Sequence, residues 1–417
     1  ALAWRLPPPG VRLRAAGPQP ARGKNVGEKG RTLGRIAPSR PVNRRPPGRR
    51  MLAVGLPFHD SRGRGCATTR ARGRPHLPGL GQTTKRPATR TTGVLYAGSD
   101  DGVYRVTGTQ GPGETTAERV LEAEDVYRVE RYGPVDGLFA TSESGLYHSP
   151  DGADWTRLQV PEEQVYAVTV DPAGERVYAG TRPARAFVAD WDGPPGAEGW
   201  TELEGFRALR DRADWGIPRH DGLAQVRSLR THPGASDRLV AGVEVGGVHV
   251  SDDRGASWAD RSIEGFDAPH TDDIHHLALP EPGRLVASTG SGLYHSEDAG
   301  RTWARLDTGH RQRYFREASI HDGTVYAGAA PASSSSWEED RDHALLVSTG
   351  DGKLEQVDTP TPEEVPLGWC VAECEPMTVT HQGTLLRRDS GEWERGGSVP
   401  TPGAVRGRYM PLCWVES

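Results

Sequence analysis

The chain has 417 residues and a formal net charge of −5, but its charge is divided sharply between two parts. Residues 1–92 carry 21 Lys and Arg against two acids, whereas residues 93–417 carry 30 Lys and Arg against 54 acids, a net of −24. Mean hydropathy is −0.63 and no apolar run approaches the ~18 residues of a transmembrane helix, which excludes such a helix. Four Cys exclude a disulfide scaffold, and 53 Gly with 34 Pro indicate short strands and turns.

Residues 1–92 show neither a strand nor a helix periodicity, and Arg, Pro and Gly interrupt every apolar stretch. Such a segment buries too little apolar surface to offset its ordering entropy, so we predict a separate disordered basic segment. The segment is either a basic arm that attracts polyanions, or non-native sequence translated from DNA upstream of the true start codon. The second interpretation is favoured, because the chain opens on Ala and the charge reverses near Thr92. No apolar signal-peptide region follows the basic start, so we expect a cytoplasmic location.

From residue 93 onward the sequence repeats a short motif. Ser296–Trp303 reads SEDAGRTW, Ser251–Trp258 reads SDDRGASW, and the shorter Ser149–Trp155 reads SPDGADW. Each copy follows a strand that begins with Gly and continues with Leu or Val. The spacing from Trp155 to Trp200, and from Trp258 to Trp303, is 45 residues. A period of about 40–50 residues made of short strands is typical of propeller blades.

This motif resembles the Asp-box of BNR-repeat proteins, which belong with the WD40/YVTN/BNR-like propellers and include sialidases and sortilins. The resemblance implies a hairpin turn between the third and fourth strands of a blade. In that turn the Asp accepts backbone N–H bonds and the Trp packs between blades. The resemblance therefore implies structural roles for Asp151, Trp155, Asp253, Trp258, Asp298 and Trp303.

Strand patterns predict an all-β, seven-bladed propeller over residues 93–417, preceded by the disordered segment 1–92. Six blades are complete in sequence: Val126–Gln159, Val165–Leu203, Val226–Ser262, Ile274–Asp307, Phe315–Asp358 and Gly368–Ser398. The seventh needs both ends of this region, with strands at Leu95–Gly98 and Gly102–Arg105 joined by a last strand within Val405–Val415. Such closure removes exposed sheet edges.

The acidity of residues 93–417 bears on partners and origin. Lys353 is the one lysine of this region, and acidic composition with scarce lysine resembles proteins of halophilic archaea, although GC-rich coding produces a similar bias. A net charge of −24 disfavours nucleic acid as a partner. We expect a monomer.

Candidate site residues follow from propeller geometry. Loops that lead into inner strands, and loops that join second to third strands, meet on one face around the central channel. Ligand-binding candidates in these positions are Arg182, Arg219, His220, Arg227, His275 and Arg316. Candidates for catalytic chemistry are Glu244, Asp273, Tyr314 and Glu317. The insertion Ser333–Ser336, followed by Trp337, is predicted to be a mobile and solvated loop, with a role as a lid as the alternative.

Two kinds of chemistry are weighed for these residues. A metal site drawn from His220, Asp273, His275 and His276 is disfavoured, because adjacent His275 and His276 should point to opposite faces of a strand. The sialidase resemblance implies an Arg cluster that binds a carboxylate, drawn from Arg182, Arg227 and Arg316. It also implies a Tyr–Glu nucleophile pair, here Tyr314 with Glu244 or Glu317, but the FRIP-type motif of sialidases is missing.

The interpretation that we favour is a non-catalytic scaffold. Its channel mouth would bind a small ligand, a glycan or a protein partner, and no cofactor or metal is predicted. A sialidase-like or other glycoside hydrolase is the alternative, and an assembly factor like the photosystem-type BNR propellers is a weaker one.

Overall fold

The computed structural model describes residues 93–109, 115–213, 215–216, 221–349 and 352–416. The predicted disordered segment 1–92, together with Arg219 and His220, lies outside the described residues. The described strands form seven four-stranded antiparallel sheets, which are the blades of a β-propeller.

Blade 1 is built from both ends of the described region. It contains β1 (Gly93–Ser99), β2 (Gly102–Thr107), β3 (Thr116–Glu122) and β28 (Leu412–Glu416), in the order β28-β1-β2-β3. The innermost strand β28 pairs antiparallel with β1, from Gly93 opposite Glu416 to Ala97 opposite Leu412. The predicted closure is confirmed. The closing strand is shorter than predicted, because residues 405–411 form a turn in which Gly407 has φ 83°.

The other six blades each take four consecutive strands. Blade 2 has β4 (Val126–Glu130), β5 (Leu138–Ser142), β6 (Gly145–Ser149) and β7 (Thr156–Leu158). Blade 3 has β8 (Gln164–Val170), β9 (Arg176–Arg182), β10 (Ala186–Asp190) and β11 (Thr201–Glu202). Blade 4 has β12 (Gln225–His232), β13 (Ala235–Glu244), β14 (Gly247–Ser251) and β15 (Ala259–Asp260).

Blades 5 to 7 repeat this order. Blade 5 has β16 (Ile274–Glu281), β17 (Arg284–Thr289), β18 (Gly292–Ser296) and β19 (Ala304–Arg305). Blade 6 has β20 (Tyr314–His321), β21 (Thr324–Ala330), β22 (Ala344–Ser348) and β23 (Leu354–Val357). Blade 7 has β24 (Pro366–Ala372), β25 (Glu375–Thr380), β26 (Thr384–Asp389) and β27 (Glu392–Ser398). The seven blades confirm the predicted fold class.

The core lies between the blades rather than at one centre. The interface that closes the ring is packed like the others, since Leu95 and Val106 of blade 1 share one buried cluster with Val379 and Leu385 of blade 7. All four side chains are fully buried. Burying such a side chain contributes about 1.5–3 kcal/mol, so each interface holds the next blade in place.

The repeated Tyr-Ala-Gly sequence of the second strands has a packing reason. A Cβ at Gly180 of β9 would lie 2.6 Å from a methyl carbon of Val226, on the inner strand of the next blade. A Cβ at Gly328 of β21 would clash with the carbonyl oxygen of Pro366. Glycine therefore permits the close approach of neighbouring blades at the channel side.

The Ser-Asp-Gly motifs form turns between third and fourth strands. In blade 5 the Ser296 hydroxyl donates to Asp298 at 2.9 Å, and the amide N–H groups of Gly300 and Thr302 donate to Ser296 and Asp298, each at 2.8 Å. The turns that contain Asp151 and Asp253 have the same pattern. The Trp303 indole N–H donates to the Arg261 carbonyl at 2.8 Å, which joins blade 5 to blade 4. The hydrogen bonds that Asp298 accepts from Thr302 and Ser296 lower its pKa to about 2.

We expect Asp298→Ala to lower the melting temperature by a few degrees at neutral pH, because backbone N–H groups of the turn lose their acceptor. A carboxylate with a lowered pKa stabilises the folded state above its unfolded pKa, and this contribution is lost as the pH falls through about 2. Thermal melts at several pH values measure the effect. Glu297→Ala, at the exposed neighbouring residue, is the control, and equal melting temperatures for the two variants would contradict this account.

Helical structure is a minor component. The helix α1 (Glu204–Arg210) follows β11 and places Phe206 and Leu209 in the cluster between blades 3 and 4. No helix in the described ranges has the length and apolarity that a membrane crossing requires.

Candidate functional site

The inner strands are irregular where they face the channel. Six of them, β4, β8, β12, β16, β20 and β24, carry a register shift near their first residues. The residues within these shifts have no Cα partner on the second strand, and they are Tyr127, Tyr166, Arg227, His275, Arg316, Glu317 and Leu367. All of them line cavities of the channel. Because a β-bulge redirects a side chain, the shifts supply the channel lining.

The largest of these cavities opens where the inner strands begin, and we call it the mouth cavity. Its volume is about 690 Å³. Its lining comprises Glu124, Asp125, Tyr127, Glu143, Tyr166, Arg182, Gln225, Arg227, Glu244, His270, Asp273, Gly290, Tyr314, Arg316, Ala332, Ser333, Ser334, Ser335, Arg406, Gly407 and Tyr409. Blades 2 to 6 and the segment before β28 all contribute to it.

A second cavity of about 300 Å³ lies towards the other ends of the inner strands, lined by residues that include Glu130, Arg230 and His276. Between the two, the channel narrows to a gap of about 10 Å³, which is room for about one water molecule. The mouth cavity is therefore constricted at its base.

Most of the sequence-predicted site residues meet at the mouth cavity. Its lining contains Arg182, Arg227, Glu244, Asp273, Tyr314 and Arg316. His275 lies at the narrow gap beneath it, where its Nδ1 is 2.6 Å from the carbonyl oxygen of Phe315. Its Nε2 is 3.5 Å from a carboxylate oxygen of Asp273.

Glu317 lies apart from the mouth cavity. Its carboxylate accepts a hydrogen bond of 2.9 Å from Arg128, and it faces the gap and the 300 Å³ cavity. The Glu317 carboxylate is thus bonded to Arg128, and no hydrogen bond in the described ranges joins it to Tyr314, the partner considered from sequence. The reason is the register shift between Phe315 and Ala318, which places Arg316 and Glu317 at different depths of the channel.

The two adjacent histidines also differ from the prediction, because both face the channel. His275 falls in the register shift between Ile274 and His276, so the strict alternation of a regular strand is lost. His276 faces the 300 Å³ cavity, where its Nε2 accepts a hydrogen bond of 2.8 Å from Arg230. Burial, and then the charges of Arg230 and Arg128, hold the pKa of His276 well below its usual value. No group of three or more His, Cys, Asp or Glu in the described ranges is arranged to hold a metal ion.

Two arginines of the mouth cavity are neutralised by carboxylates. The Arg227 guanidinium donates to Glu244, which also accepts a hydrogen bond from Gln225, and both ionic side chains are almost fully buried. Arg182 donates to Glu143 at 3.1 Å and to Gln164 at 2.6 Å. Removal of one partner from a buried ion pair leaves the other charge uncompensated and destabilises the fold. These ion pairs therefore stabilise the walls of the cavity.

Arg316 has different surroundings. Its guanidinium carbon lies 5.0 Å from the ring centre of Tyr409, 5.6 Å from that of Tyr314 and 5.7 Å from that of Trp337. Its Nη2 donates to the Ser334 hydroxyl at 3.2 Å. In the part of the chain that the structure describes, no carboxylate oxygen lies within 4.0 Å of its nitrogens.

Trp337 anchors the insertion for which the sequence predicts a mobile loop. It is only 2% exposed, and its indole N–H donates to the Ala332 carbonyl at 2.9 Å. Its ring contacts Tyr314 and His381 edge-on. This packing fixes Ser334 beside Arg316.

The sequence analysis missed six aromatic and acidic residues of the mouth cavity, which are Glu124, Asp125, Tyr127, Glu143, Tyr166 and Tyr409. Tyr127 and Tyr166 stack with ring centres 3.9 Å apart, Tyr409 meets Tyr127 edge-on, and Tyr127 donates a hydrogen bond to Glu143. Glu143 occupies the loop between second and third strands, the same position that identified Arg182 and Glu244. The loop between the second and third strands of blade 2 therefore contained a sequence signal for Glu143.

Asp125 at the rim of the mouth cavity provides a pH-dependent prediction. Burial, and then the neighbouring Asp100 and Glu143, raise the pKa of Asp125 from 3.8 to about 6. Between these values the folded state binds more protons than the unfolded state, so stability falls as the pH rises. We expect Asp125→Asn to raise the free energy of unfolding by about 1 kcal/mol at about pH 7 and by less near pH 4.

Chemical denaturation at the two pH values measures this difference. Asn tolerates the positive φ of 45° at this residue, so backbone strain does not confound the result. The exposed Glu122→Gln is the matched control. A stability gain for Asp125→Asn that is equal at both pH values would contradict the raised pKa.

No protein-family model matches the sequence, and no curated protein matches it. Among solved structures, the chain is similar to a GH74 xyloglucanase from Xanthomonas campestris, with 19% identity and a TM-score of 0.48. This match covers 66% of the present chain and 45% of the xyloglucanase. An ancestral GH74 enzyme matches with 13% identity and a TM-score of 0.49, covering 65% of this chain and 38% of the enzyme.

YCF48 bound to a D1 peptide is also similar, with 14% identity and a TM-score of 0.45 over 65% of this chain and 82% of YCF48. The chain spans less than half the length of the two GH74 structures. These likenesses concern the fold alone. The strand pairing itself defines the chain as a seven-bladed β-propeller closed by β1 and β28.

Proposed function

We propose that this propeller binds one small organic ligand in the mouth cavity and does not transform it. The observation that carries the proposal is the convergence of charged and aromatic side chains from five blades on one cavity of about 690 Å³. Ligand cavities typically measure about 300–1,000 Å³ and combine apolar walls with a few placed polar groups. Here Tyr127, Tyr166, Tyr314 and Tyr409 supply the walls.

A small ligand is favoured over a protein partner by the surface of the described residues. Leu223, at 40% exposure, is the one large hydrophobic side chain among them that is exposed. Protein interfaces usually bury a central cluster of aromatic or aliphatic side chains. The assembly-factor and protein-partner alternatives therefore rank below small-ligand binding. The predicted BNR-repeat membership, halophilic character, monomeric state and cytoplasmic location accompany this proposal as predictions.

A ligand screen tests the proposal. Saturation-transfer NMR with a library of small polar compounds should find ligands that bind the parent protein but not Ala332→Trp, because the indole would fill the mouth cavity. Glu297→Trp, at the separate cavity between blades 5 and 6, is the matched control and should bind like the parent. Ligands that bind all three proteins equally would show that the mouth cavity is not the site.

Glycoside hydrolysis is the second candidate, and a specific pair of residues favours it. The sialidase resemblance implied a Tyr–Glu pair, and the mouth cavity contains one in Tyr127 and Glu143, with Asp125 nearby in the lining. However, burial and the neighbouring Tyr166 and Tyr409 raise the pKa of Tyr127, which disfavours the phenolate that a nucleophile needs. Hydrolysis therefore ranks second.

A panel of aryl glycosides separates the two candidates. Non-catalytic binding predicts no turnover above a buffer control. Turnover that is abolished in both Tyr127→Phe and Glu143→Gln would establish hydrolysis and overturn the first proposal. Tyr326→Phe is the control, because Tyr326 packs in the cluster between blades 6 and 7 and does not line the mouth cavity.

A further inference from the structure

We infer that His343 and His381, which pack against Trp337, form an acid-sensitive latch that holds two wall segments of the mouth cavity in place. This inference concerns the regulation of the cavity and rests on the proposed function. Its test uses no ligand, so the latch can fail while the ligand screen succeeds, and the screen can fail while the latch is present.

The first wall segment is the insertion in blade 6, which we call the strap. It joins β21 to β22 with 13 residues, 331–343, whereas the corresponding loops of the other six blades have two or three residues. Ala332, Ser333, Ser334 and Ser335 of the strap line the mouth cavity. The position of the strap therefore sets the shape of one wall.

The strap is anchored to blade 7 through His381, which follows β25. The ring centre of His381 lies 5.7 Å from that of Trp337 and 5.8 Å from that of His343, and both contacts are edge-on. The exposed fractions of Trp337, His343 and His381 are 2%, 4% and 0%. These three buried rings attach the strap to the neighbouring blade.

The second wall segment is the turn 405–411, and it is anchored at the same residue. Arg408 Nη1 donates a hydrogen bond of 2.7 Å to the carbonyl oxygen of His381. The turn also contacts the strap, because the Gly407 N–H donates to the Ser334 hydroxyl at 3.3 Å. A displacement of His381 would therefore release both wall segments.

The position of His381 requires a neutral ring. Its Nδ1 accepts the Val365 N–H at 2.9 Å, so a proton on Nδ1 would place two donors opposite each other. The buried site also excludes the water that would solvate a charged ring. Burial, and then the neighbouring His343 and Arg408, lower the pKa of His381 to about 4.

The other charged groups around the latch come from three segments. The strap contributes Asp340, Arg341 and Asp342, the segment before β24 contributes Glu363 and Glu364, and the turn contributes Arg408, which pairs with Asp100. Burial lowers the pKa of His343, although Asp340 and Asp342 act in the opposite direction. In the part of the chain that the structure describes, no carboxylate forms an ion pair with His381.

Acid should therefore favour release of the strap. A histidine whose pKa is lowered in the closed state binds more protons in the open, solvated state. The anchoring is complete above the ordinary pKa of 6.5 and weakens progressively as the pH falls to about 4.

Hydrogen–deuterium exchange of the full chain tests the latch. Exchange is measured at pH 6.5 and at pH 4.5, and each rate is compared with that of an unstructured peptide at the same pH. Protection of residues 331–343 and 405–411 should fall at least about tenfold at the lower pH, since one unit of pKa difference corresponds to a factor of ten. The strand β8 of blade 3 should keep its protection.

His381→Asn separates the latch from general effects of acid. The Asn side-chain oxygen can accept the Val365 N–H but takes up no proton in this range, so protection of the strap should change less than about threefold. His232→Asn is the matched control. The His232 Nδ1 also accepts a backbone N–H, from Gly234 at 3.0 Å, but at an exposed position, so this variant should lose strap protection in acid like the parent.

Three results would overturn the inference. Equal protection of the strap at both pH values in the parent protein would do so, and this comparison is decisive even if His381→Asn does not fold. An undiminished acid effect in His381→Asn would also contradict the latch. A loss of protection that is equally large in β8 would show general acid unfolding instead of release of the strap.

Discussion

A protein truncated after residue 404 should lose at least about 4 kcal/mol of unfolding free energy and melt many degrees below the parent. The deletion removes β28, the innermost strand of blade 1, and with it the pairing to β1 from Gly93 to Ala97. It also removes the buried Met410 and Leu412 from the interface between blades 7 and 1. The inner edge of β1 would then be exposed in an open ring.

A point variant tests the same closure without a deletion. Cys413→Pro, in the middle of β28, should also destabilise strongly, because proline cannot sit within an inner strand without breaking its ladder. Glu416→Ala changes an exposed residue of the same strand and should melt close to the parent. Denaturant unfolding curves of the three proteins give the free energies. Closure through β28 would be contradicted if the truncated protein melted at the parent temperature.

Glu244→Ala should lower the free energy of unfolding by about 3 kcal/mol, which assigns Glu244 a structural role instead of the catalytic one considered from sequence. The side chains of Arg227 and Glu244 are 4% and 2% exposed, and removal of the carboxylate leaves the guanidinium buried without its partner. A catalytic acid in a solvated cavity would instead tolerate replacement with little loss of stability.

An exposed ion pair provides the matched control for Glu244→Ala. Asp252 accepts a hydrogen bond of 2.6 Å from Arg238, but its side chain is 56% exposed. Asp252→Ala should therefore lower the free energy of unfolding by no more than about 1 kcal/mol. If both substitutions lower the free energy of unfolding by the same amount, burial of the Arg227–Glu244 pair contributes no extra stability. The pair would then not stabilise the wall of the mouth cavity.

The propeller was predictable because its signals are local. A Gly-led third strand, a Ser-Asp-Gly turn and a Trp recur at a fixed period, and each unit forms one blade from contiguous residues. The closure was also predictable, since β1 to β3 lacked an inner strand and one strand remained near residue 415. The length of that strand was not, because the turn at residues 405–411 depends on backbone geometry around Gly407.

The lining of the mouth cavity was only partly predictable. Loop position identified Arg182, Glu244 and Asp273, because such loops gather on one face of any propeller. Register shifts on the inner strands had no sequence signal that we recognised, so Tyr127 and Tyr166 were missed.

The pairing of charges could not be derived from sequence either. Arg227 forms an ion pair with Glu244 on the neighbouring strand of its own sheet. Arg128 instead pairs with Glu317 across the channel. Which arginine stays without a carboxylate depends on side-chain depth in the channel, and that depth is set by the register shifts.

Fluorine NMR of protein labelled with 3-fluorotyrosine most directly tests whether the mouth cavity is a ligand site. Resonances of Tyr127, Tyr166, Tyr314 and Tyr409 report on the cavity, while Tyr178 and Tyr326, which lie elsewhere, serve as internal references. Addition of a ligand found in the screen should shift the cavity resonances in the parent protein and leave them unchanged in Ala332→Trp. Shifts confined to Tyr178 or Tyr326, or identical shifts in the two proteins, would contradict the account.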